Sequence, residues 1–264
     1  MKHRPKKQWG QNFLRNPSAV ERIVSAIEPQ KGEMILEIGP GEGALTAKLL
    51  ELGNPVRAIE IDPDLTASLE ERFGERLQII HGDATEVPLP EQPFRAVGNL
   101  PYNVGTPILR RVIASPHCRR AVFMLQKEVA NRTVARPGDE DYGFLSLYVQ
   151  IFAEARTLMT LNPGSFYPAP KVRSAVVVFD LRPPTTANEP QSLIELISAS
   201  FRMRRKKLVN NLGGYTGLSR DAIQRAMENA NIGLDARAEE MPLEAFDGLA
   251  SAIARGGDAR NSED

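Results

Sequence analysis

The chain has 264 residues, 42% of them hydrophobic, enough to bury one α/β core and still carry a small second domain. Lys plus Arg and Asp plus Glu both total 33, so net charge predicts no nucleic-acid partner, and any polyanion must be met by local patches. The single cysteine, Cys118, excludes an internal disulfide and a cysteine-built zinc site and reads as a buried, inert thiol.

The first 16 residues are basic and turn-prone: Lys2, Arg4, Lys6 and Lys7 crowd seven positions, and Trp9-Gly-Gln-Asn-Phe-Leu14 follows. This start lacks the apolar run of a secretion signal, and no stretch approaches the roughly 18 apolar residues of a membrane span, so a cytoplasmic protein with no membrane partner is expected. Gln11 to Leu14 on its own reads as a loop pinned by Phe13. A helix is predicted from Pro17, with Val20, Ile23, Val24 and Ile27 at helical spacing. Met34 to Ile38 is a strand that opens into Gly39-Pro-Gly-Glu-Gly43, and Ala44 to Leu52 is a helix ended by Gly53. A loop of this kind lets a ligand approach backbone amides near a helix N-terminus. Its G-x-G-x-G spacing departs from the G-x-G-x-x-G of dinucleotide enzymes, which disfavours an NAD dehydrogenase.

Pro55 to Ile61 is the next strand, and Glu60 near its end lies 21 positions after Gly39, either an exposed strand-terminal charge or a carboxylate placed to accept ribose hydroxyls. After a helix over Asp64 to Phe73, a third strand over Leu77 to Ile80 leads to Gly82-Asp83-Ala84; Asp83 either accepts from an adenine amino group or caps a turn. Phe94 to Gly98 is the fourth strand and delivers Asn99-Leu100-Pro101-Tyr102. That tetrapeptide suits a flat, amino-bearing base. The 6-amino group of adenine has its lone pair delocalised into the ring, so alkylating it requires acceptors that draw the nitrogen toward tetrahedral geometry. The Asn99 oxygen and the carbonyl of Leu100 or Pro101 could supply them, and Tyr102 could stack on the base. Four strands in succession thus bring polar groups to their carboxyl ends, where open α/β sheets bind ligands.

Pro107 to Ala114 reads as a helix and Ala121 to Leu125 as a fifth strand. Lys127 to Val134 and Phe144 to Phe152 read as helices, and Leu158 to Leu161 and Ala175 to Leu181 as strands. Between the last two, Phe166-Tyr-Pro-Ala-Pro-Lys171 is a proline-stiffened loop, either a rigid connector or a second stacking wall. Pro183 to Gln191 is linker-like. Beyond it come helices: Leu193, Ile197 and Phe201 share a face, Ser219 can cap Arg220 to Asn229, and a last helix runs to Ala254. Arg202, Arg204, Arg205, Lys206 and Lys207 fall within six positions, whereas Leu208 to the end holds five basic and ten acidic residues.

Taken together, Trp9 to Leu14, Glu37-Ile-Gly-Pro-Gly-Glu-Gly-Ala-Leu-Thr46, Asn99 to Asn103, Leu125 to Val129, Tyr142-Gly-Phe-Leu-Ser146, Pro168 to Val172 with Ser174 to Val176, and Arg204-Arg-Lys206 with Asn211-Leu212 resemble the KsgA/RsmA-type small-subunit ribosomal RNA adenine dimethyltransferases over nearly the whole chain. Trp9, Val104-Gly105 and Arg173 depart from the commoner residues of that pattern. The resemblance implies an α/β, Rossmann-like S-adenosylmethionine-dependent methyltransferase domain over 1–183, a small all-helical RNA-binding domain over 184–256 and a disordered tail over 257–264. It implies dimethylation of two adjacent adenosines in the 3′-terminal hairpin of 16S ribosomal RNA, with the pre-30S particle as partner, a monomeric enzyme and no metal. By motif position, Asn12 and Leu14 would meet the methionine end of the cofactor, Gly39 and Gly41 would lie beneath it, Glu60 would hold its ribose, Asp83 and Ala84 its adenine, and Asn99 would border cofactor and substrate. Asn99, Leu100, Pro101, Tyr102 and Phe166 would form the catalytic set; Lys6, Lys7, Arg204, Arg205 and Lys206 would bind RNA. The alternatives are a macrolide-resistance-type 23S ribosomal RNA dimethyltransferase and a ribosome-assembly factor acting by RNA binding alone.

Overall fold

The computed structural model describes residues 4–203 and 205–261; the side chains of 7, 216 and 256–261 lie outside the described set. After β1 (Phe13–Leu14), α1 (Pro17–Ile27) starts at Asn16, whose side-chain oxygen accepts the Ala19 N–H at 3.1 Å. Then follow β2 (Met34–Ile38), α2 (Ala44–Glu51), β3 (Val56–Glu60), α3 (Pro63–Phe73), β4 (Leu77–His81), β5 (Phe94–Asn99), α4 (Gly105–Ile113) and β6 (Cys118–Gln126). The chain continues through α5 (Lys127–Val134), α6 (Phe144–Phe152), β7 (Ala153–Leu161), β8 (Phe166–Tyr167) and β9 (Ser174–Leu181) to α7 (Pro190–Ser200), α8 (Leu208–Asn211), α9 (Arg220–Asn229) and α10 (Leu243–Asn261). These elements form two compact units, 1–130 with 153–182 and 131–152 with 183–264.

The first unit is built on a sheet of order β4-β3-β2-β5-β6-β9-β7, parallel from β4 to β6 and antiparallel at β9 and β7. Because the chain winds outward from β2 through β3 to β4 and then crosses over to β5 on the other side of β2, a crevice opens at the carboxyl ends of β2 and β5, as in other doubly wound sheets. This is the expected Rossmann-like architecture. All five residues of β2 are buried, which is why this central strand reads as a continuous apolar run broken only by Glu37. Gly98 of β5 faces Ile38, and a Cβ there would stand 2.4 Å from the Ile38 carbonyl oxygen, so only glycine lets β2 and β5 close at the crevice.

Two strands are longer than predicted. β7 begins at Ala153, five residues before the apolar signal, because it is an edge strand held by its ladder to β9. Its Glu154 and Arg156-Thr157 need no apolar partner to pair. β6 likewise begins at Cys118, whose thiol is pushed well up by burial.

The second unit packs Tyr142, Leu147, Ile151, Leu193, Ile197 and Phe246 into one core, and the Tyr142 hydroxyl donates to the Met241 carbonyl at 2.8 Å. The second unit begins at 183, next to the expected boundary, but it also takes in 131–152, expected in the first domain: that segment precedes the last strands in sequence, yet its apolar side chains are buried among the C-terminal helices. α10 also passes the expected end at Ala254, so 257–261, expected to be disordered, has helical backbone, and 262–264 lie outside the described residues. No helix among the described residues is long and apolar enough to cross a membrane.

Gly98→Ala is expected to destabilise the protein by at least ~1–3 kcal/mol, the cost of overpacking, here against backbone that cannot rotate away. Urea denaturation measures it; an unchanged midpoint would mean that β2 and β5 separate at no cost.

Candidate active site

The carboxyl ends of β2, β3, β4 and β5 each contribute to one cavity of ≈ 190 Å³. From β2 comes the glycine loop, with Gly39, Gly41 and Gly43 at φ of 66°, 58° and 79°. A Cβ on Gly41 would lie 2.9 Å from the Phe13 ring, and one on Gly43 would lie 2.9 Å from Leu69 and Phe73, so side chains are excluded on steric as well as backbone grounds.

From β3 comes Glu60, 5% exposed. One of its carboxylate oxygens accepts the Gly41 N–H at 3.1 Å and the other the Asp62 N–H at 3.0 Å. Burial raises its pKa, and those amides partly oppose the shift. Beyond these amides and that of Ile61, the carboxylate keeps acceptor capacity for a hydroxyl donor.

The loop after β4 supplies Asp83 and Ala84. Asp83 accepts the Thr85 N–H and hydroxyl, both at 2.7 Å, so it caps its turn and lines the cavity at once. Arg111 of α4 donates to the Ala84 carbonyl at 3.0 Å and anchors this loop.

At the end of β5, Asn99 Nδ2 donates to the Asn12 carbonyl at 2.7 Å. A carbonyl only accepts, so the amide nitrogen must face it, and Oδ1 is left as the acceptor. The Pro101 carbonyl accepts the Val104 N–H at 3.2 Å. Tyr102 shares a 2.8 Å hydrogen bond with the fully buried Ser174 hydroxyl, and burial raises the phenol pKa.

Of the expected cofactor set, Asn12, Gly39, Gly41, Glu60, Asp83, Ala84 and Asn99 line this cavity, together with Leu100, Pro101 and Tyr102. Leu14 lines an adjoining cavity of ≈ 230 Å³ with Gly39, Gly41 and Asn99. Glu37 also lines that second cavity, and sequence reasoning assigned it no role. It is 1% exposed and accepts the Thr46 hydroxyl at 2.7 Å. Burial, and secondarily the Glu60 charge, raise its pKa from 4.5 to about 7. The available signal was a carboxylate within an otherwise apolar strand.

Two expectations change. Phe166, expected as a stacking wall, is 5% exposed and belongs to the core of the first unit, because β8 pairs with β1 and the two-residue alternation turns Phe166 inward and Tyr167, 58% exposed, outward. Lys6, expected on RNA, is held by Asp62 at 2.7 Å and Asp64 at 2.5 Å. The Lys7 side chain and all of Arg204 lie outside the described residues. Arg205 and Lys206 are exposed in the second unit, on a loop clasped by the Asn211 side chain, which bonds both the N–H and the carbonyl of Met203 at 3.0 Å.

A family model described as ribosomal RNA adenine dimethylase matches residues 2–254. The chain belongs to this family. The ribosomal RNA small subunit methyltransferase A of Syntrophotalea carbinolica is 40% identical over 260 residues, spanning 96% of this chain and 98% of that one. That of Synechococcus sp. (strain JA-3-3Ab) is 42% identical over 90% of this chain and 89% of its own. Among solved structures, a dimethyladenosine transferase from Plasmodium falciparum superposes with TM-score 0.84 at 25% identity, covering 93% of this chain and 98% of that one. The 23S rRNA methyltransferase ErmE superposes with TM-score 0.72 at 25% identity, covering 92% and 100%. The ribosomal RNA adenine dimethylase family therefore accounts for both compact units.

Glu37 carries a pH dependence. Its folded pKa of about 7 lies above the 4.5 of the free group, so the folded state binds the proton more tightly and stability falls as pH rises through that window. The loss is on the order of 3 kcal/mol. Glu37→Gln keeps an acceptor for Thr46 and is expected to stabilise the donor-free protein at pH 8 while leaving it nearly unchanged at pH 4. Thermal melts at the two pH values check this.

Proposed function

We propose that this protein transfers methyl groups from S-adenosylmethionine to the 6-amino group of adenine in small-subunit ribosomal RNA, twice at each of two adjacent adenosines in the 3′-terminal hairpin. The observation that carries the reading is the commitment of Asn99 Nδ2 to the Asn12 carbonyl, which leaves Oδ1 as an acceptor in the cavity that also holds Glu60 and the glycine loop. The donor set fits the cofactor: Glu60 for ribose hydroxyls, Asp83 and Ala84 for an adenine edge, and Ile61 and Leu65 as apolar wall. When bound, S-adenosylmethionine supplies an electrophilic sulfonium methyl group.

The chain's own residues prepare the nucleophile. Asn99 Oδ1 accepts one hydrogen of the adenine amino group, and the carbonyl of Leu100 or Pro101 accepts the other; the Pro101 carbonyl also takes the Val104 N–H. Both acceptors strengthen as the nitrogen becomes tetrahedral, which places their effect in the transition state. Tyr102, fixed through Ser174, stacks on the base, which must leave its hairpin to enter. The exposed Arg205 and Lys206 contribute phosphate contacts.

Incubation with labelled S-adenosylmethionine and undermethylated small subunits, followed by mapping of the labelled nucleotides, tests the reading. The likeness to ErmE makes large-subunit RNA the rival substrate, and label confined to it would overturn the proposal. Asn99→Ala is expected to lower kcat on the order of 10²-fold or more. Single-turnover rates at saturating S-adenosylmethionine, with affinity measured by calorimetry on the same variant, separate that loss from cofactor binding. The double substitution Arg205→Ala with Lys206→Ala should flatten the dependence of RNA affinity on salt by about 0.7–0.9 per lost phosphate contact and leave cofactor affinity unchanged. An unaltered slope would make these two residues solvated surface.

A further inference from the structure

We propose that Asp62, which lies outside the reacting centre, is a positioning residue for the Asn99 amide, acting through Gln11 and Asn12. Asp62 is fully buried, follows the Glu60 strand end and caps α3 by accepting the Asp64 N–H at 3.0 Å. Capping needs one oxygen, yet the carboxylate does more. Its Oδ1 also accepts Lys6 Nζ at 2.7 Å, and its Oδ2 accepts Gln11 Nε2 at 2.8 Å. Gln11 in turn accepts the Lys6 backbone N–H at 2.7 Å, so the two ends of the 6–11 segment are tied to each other and to one buried charge. Lys6 closes the group by lying 4.7 Å from the centre of the Trp9 ring.

The next residue along this clamped segment is Asn12, whose carbonyl sets the orientation of Asn99. A primary amide has nearly equal shape in its two flipped orientations, so only its partners decide which end faces the substrate. Asn12 makes that decision, and it can do so only while its carbonyl stays in place. Downstream the segment is secured by the β1–β8 pairing and by Phe13 against Gly41. Upstream, the Gln11–Asp62 bond ties the residue next to Asn12 to the sheet end, beside the Lys6–Asp62 ion pair five positions earlier. Loss of that tie frees Asn12, and Asn99 then spends part of its time with Nδ2 toward the adenine amino group, donor against donor.

The inference rests on the adenine-methylating reading, and its test is built to fail separately. Asp62→Asn keeps an oxygen for the α3 cap, but in either amide orientation it sets a donor against a donor. Single-turnover methylation at saturating S-adenosylmethionine is expected to fall roughly tenfold to a hundredfold, the cost of misplacing a reacting group. The side-chain amide signals of Asn99 in an NMR spectrum, protected from exchange in the wild type without RNA or cofactor, are expected to lose that protection. Adding Gln11→Glu to Asp62→Asn exchanges donor and acceptor and should restore both readouts. Gln11→Leu, which leaves the cap and the Lys6 ion pair intact, should reproduce the loss in a folded protein, checked by circular dichroism, and it serves if Asp62→Asn does not fold. Unchanged rate and protection in the single variants, or a loss that the double variant does not restore, would overturn the proposal. A wild-type protein that labels no small-subunit adenine refutes the functional reading alone, since the amide signals still decide this one.

Discussion

The hydrogen bond from the Asn99 amide nitrogen to the Asn12 carbonyl is the constraint on which the site depends. It joins the N-terminal segment to the end of β5 and gives an otherwise ambiguous amide one direction. Around it, each neighbouring element removes a degree of freedom. Phe13 fills the space that a side chain on Gly41 would need, the glycine loop ties to Glu60, and Tyr102 is held by Ser174. In the reading proposed above, these groups would be in place before substrate arrives, so little reorganisation would remain for the reaction itself.

The charges near the glycine loop follow from the same geometry. Glu37 and Glu60 are both buried at the ends of adjacent strands, and desolvation raises both. At Glu60 the shift is opposed by the backbone amides of Asp62, Gly41 and Ile61, and at Glu37 by the Thr46 hydroxyl and N–H, while the Glu60 charge adds to the rise. Asp62, two residues past Glu60, has its pKa lowered despite burial because Lys6 and Gln11 donate to it. A basic residue near the start of the chain is thereby used to hold structure, whereas the cations at 205 and 206 stay exposed. The zero net charge of the chain hides this division.

Much of the fold was legible because its signals are local. The apolar run of β2, the glycine loop, the helix cap at Ser219 and the acids at successive strand ends each depend on residues close in sequence, and the structure has those elements where the pattern puts them. That Asn99 to Tyr102 line one cavity follows from the same locality: the amide, the stiff turn and the ring are contiguous.

Tertiary structure decided what depends on pairing between distant segments. Whether Phe166 or Tyr167 faces outward was set by the register of β8 against β1, about 150 positions earlier, and a one-residue change of register would have reversed them. The assignment of 131–152 to the helical unit was set by Tyr142 reaching the Met241 carbonyl, and the fate of Lys6 by a carboxylate 56 positions away. The sequence by itself determined which groups would stand at the strand ends, because strand, loop and helix propensities act over a few residues. Which of those groups are free to meet a ligand was decided only when hydrogen-bond donors and acceptors far apart in the chain satisfied one another.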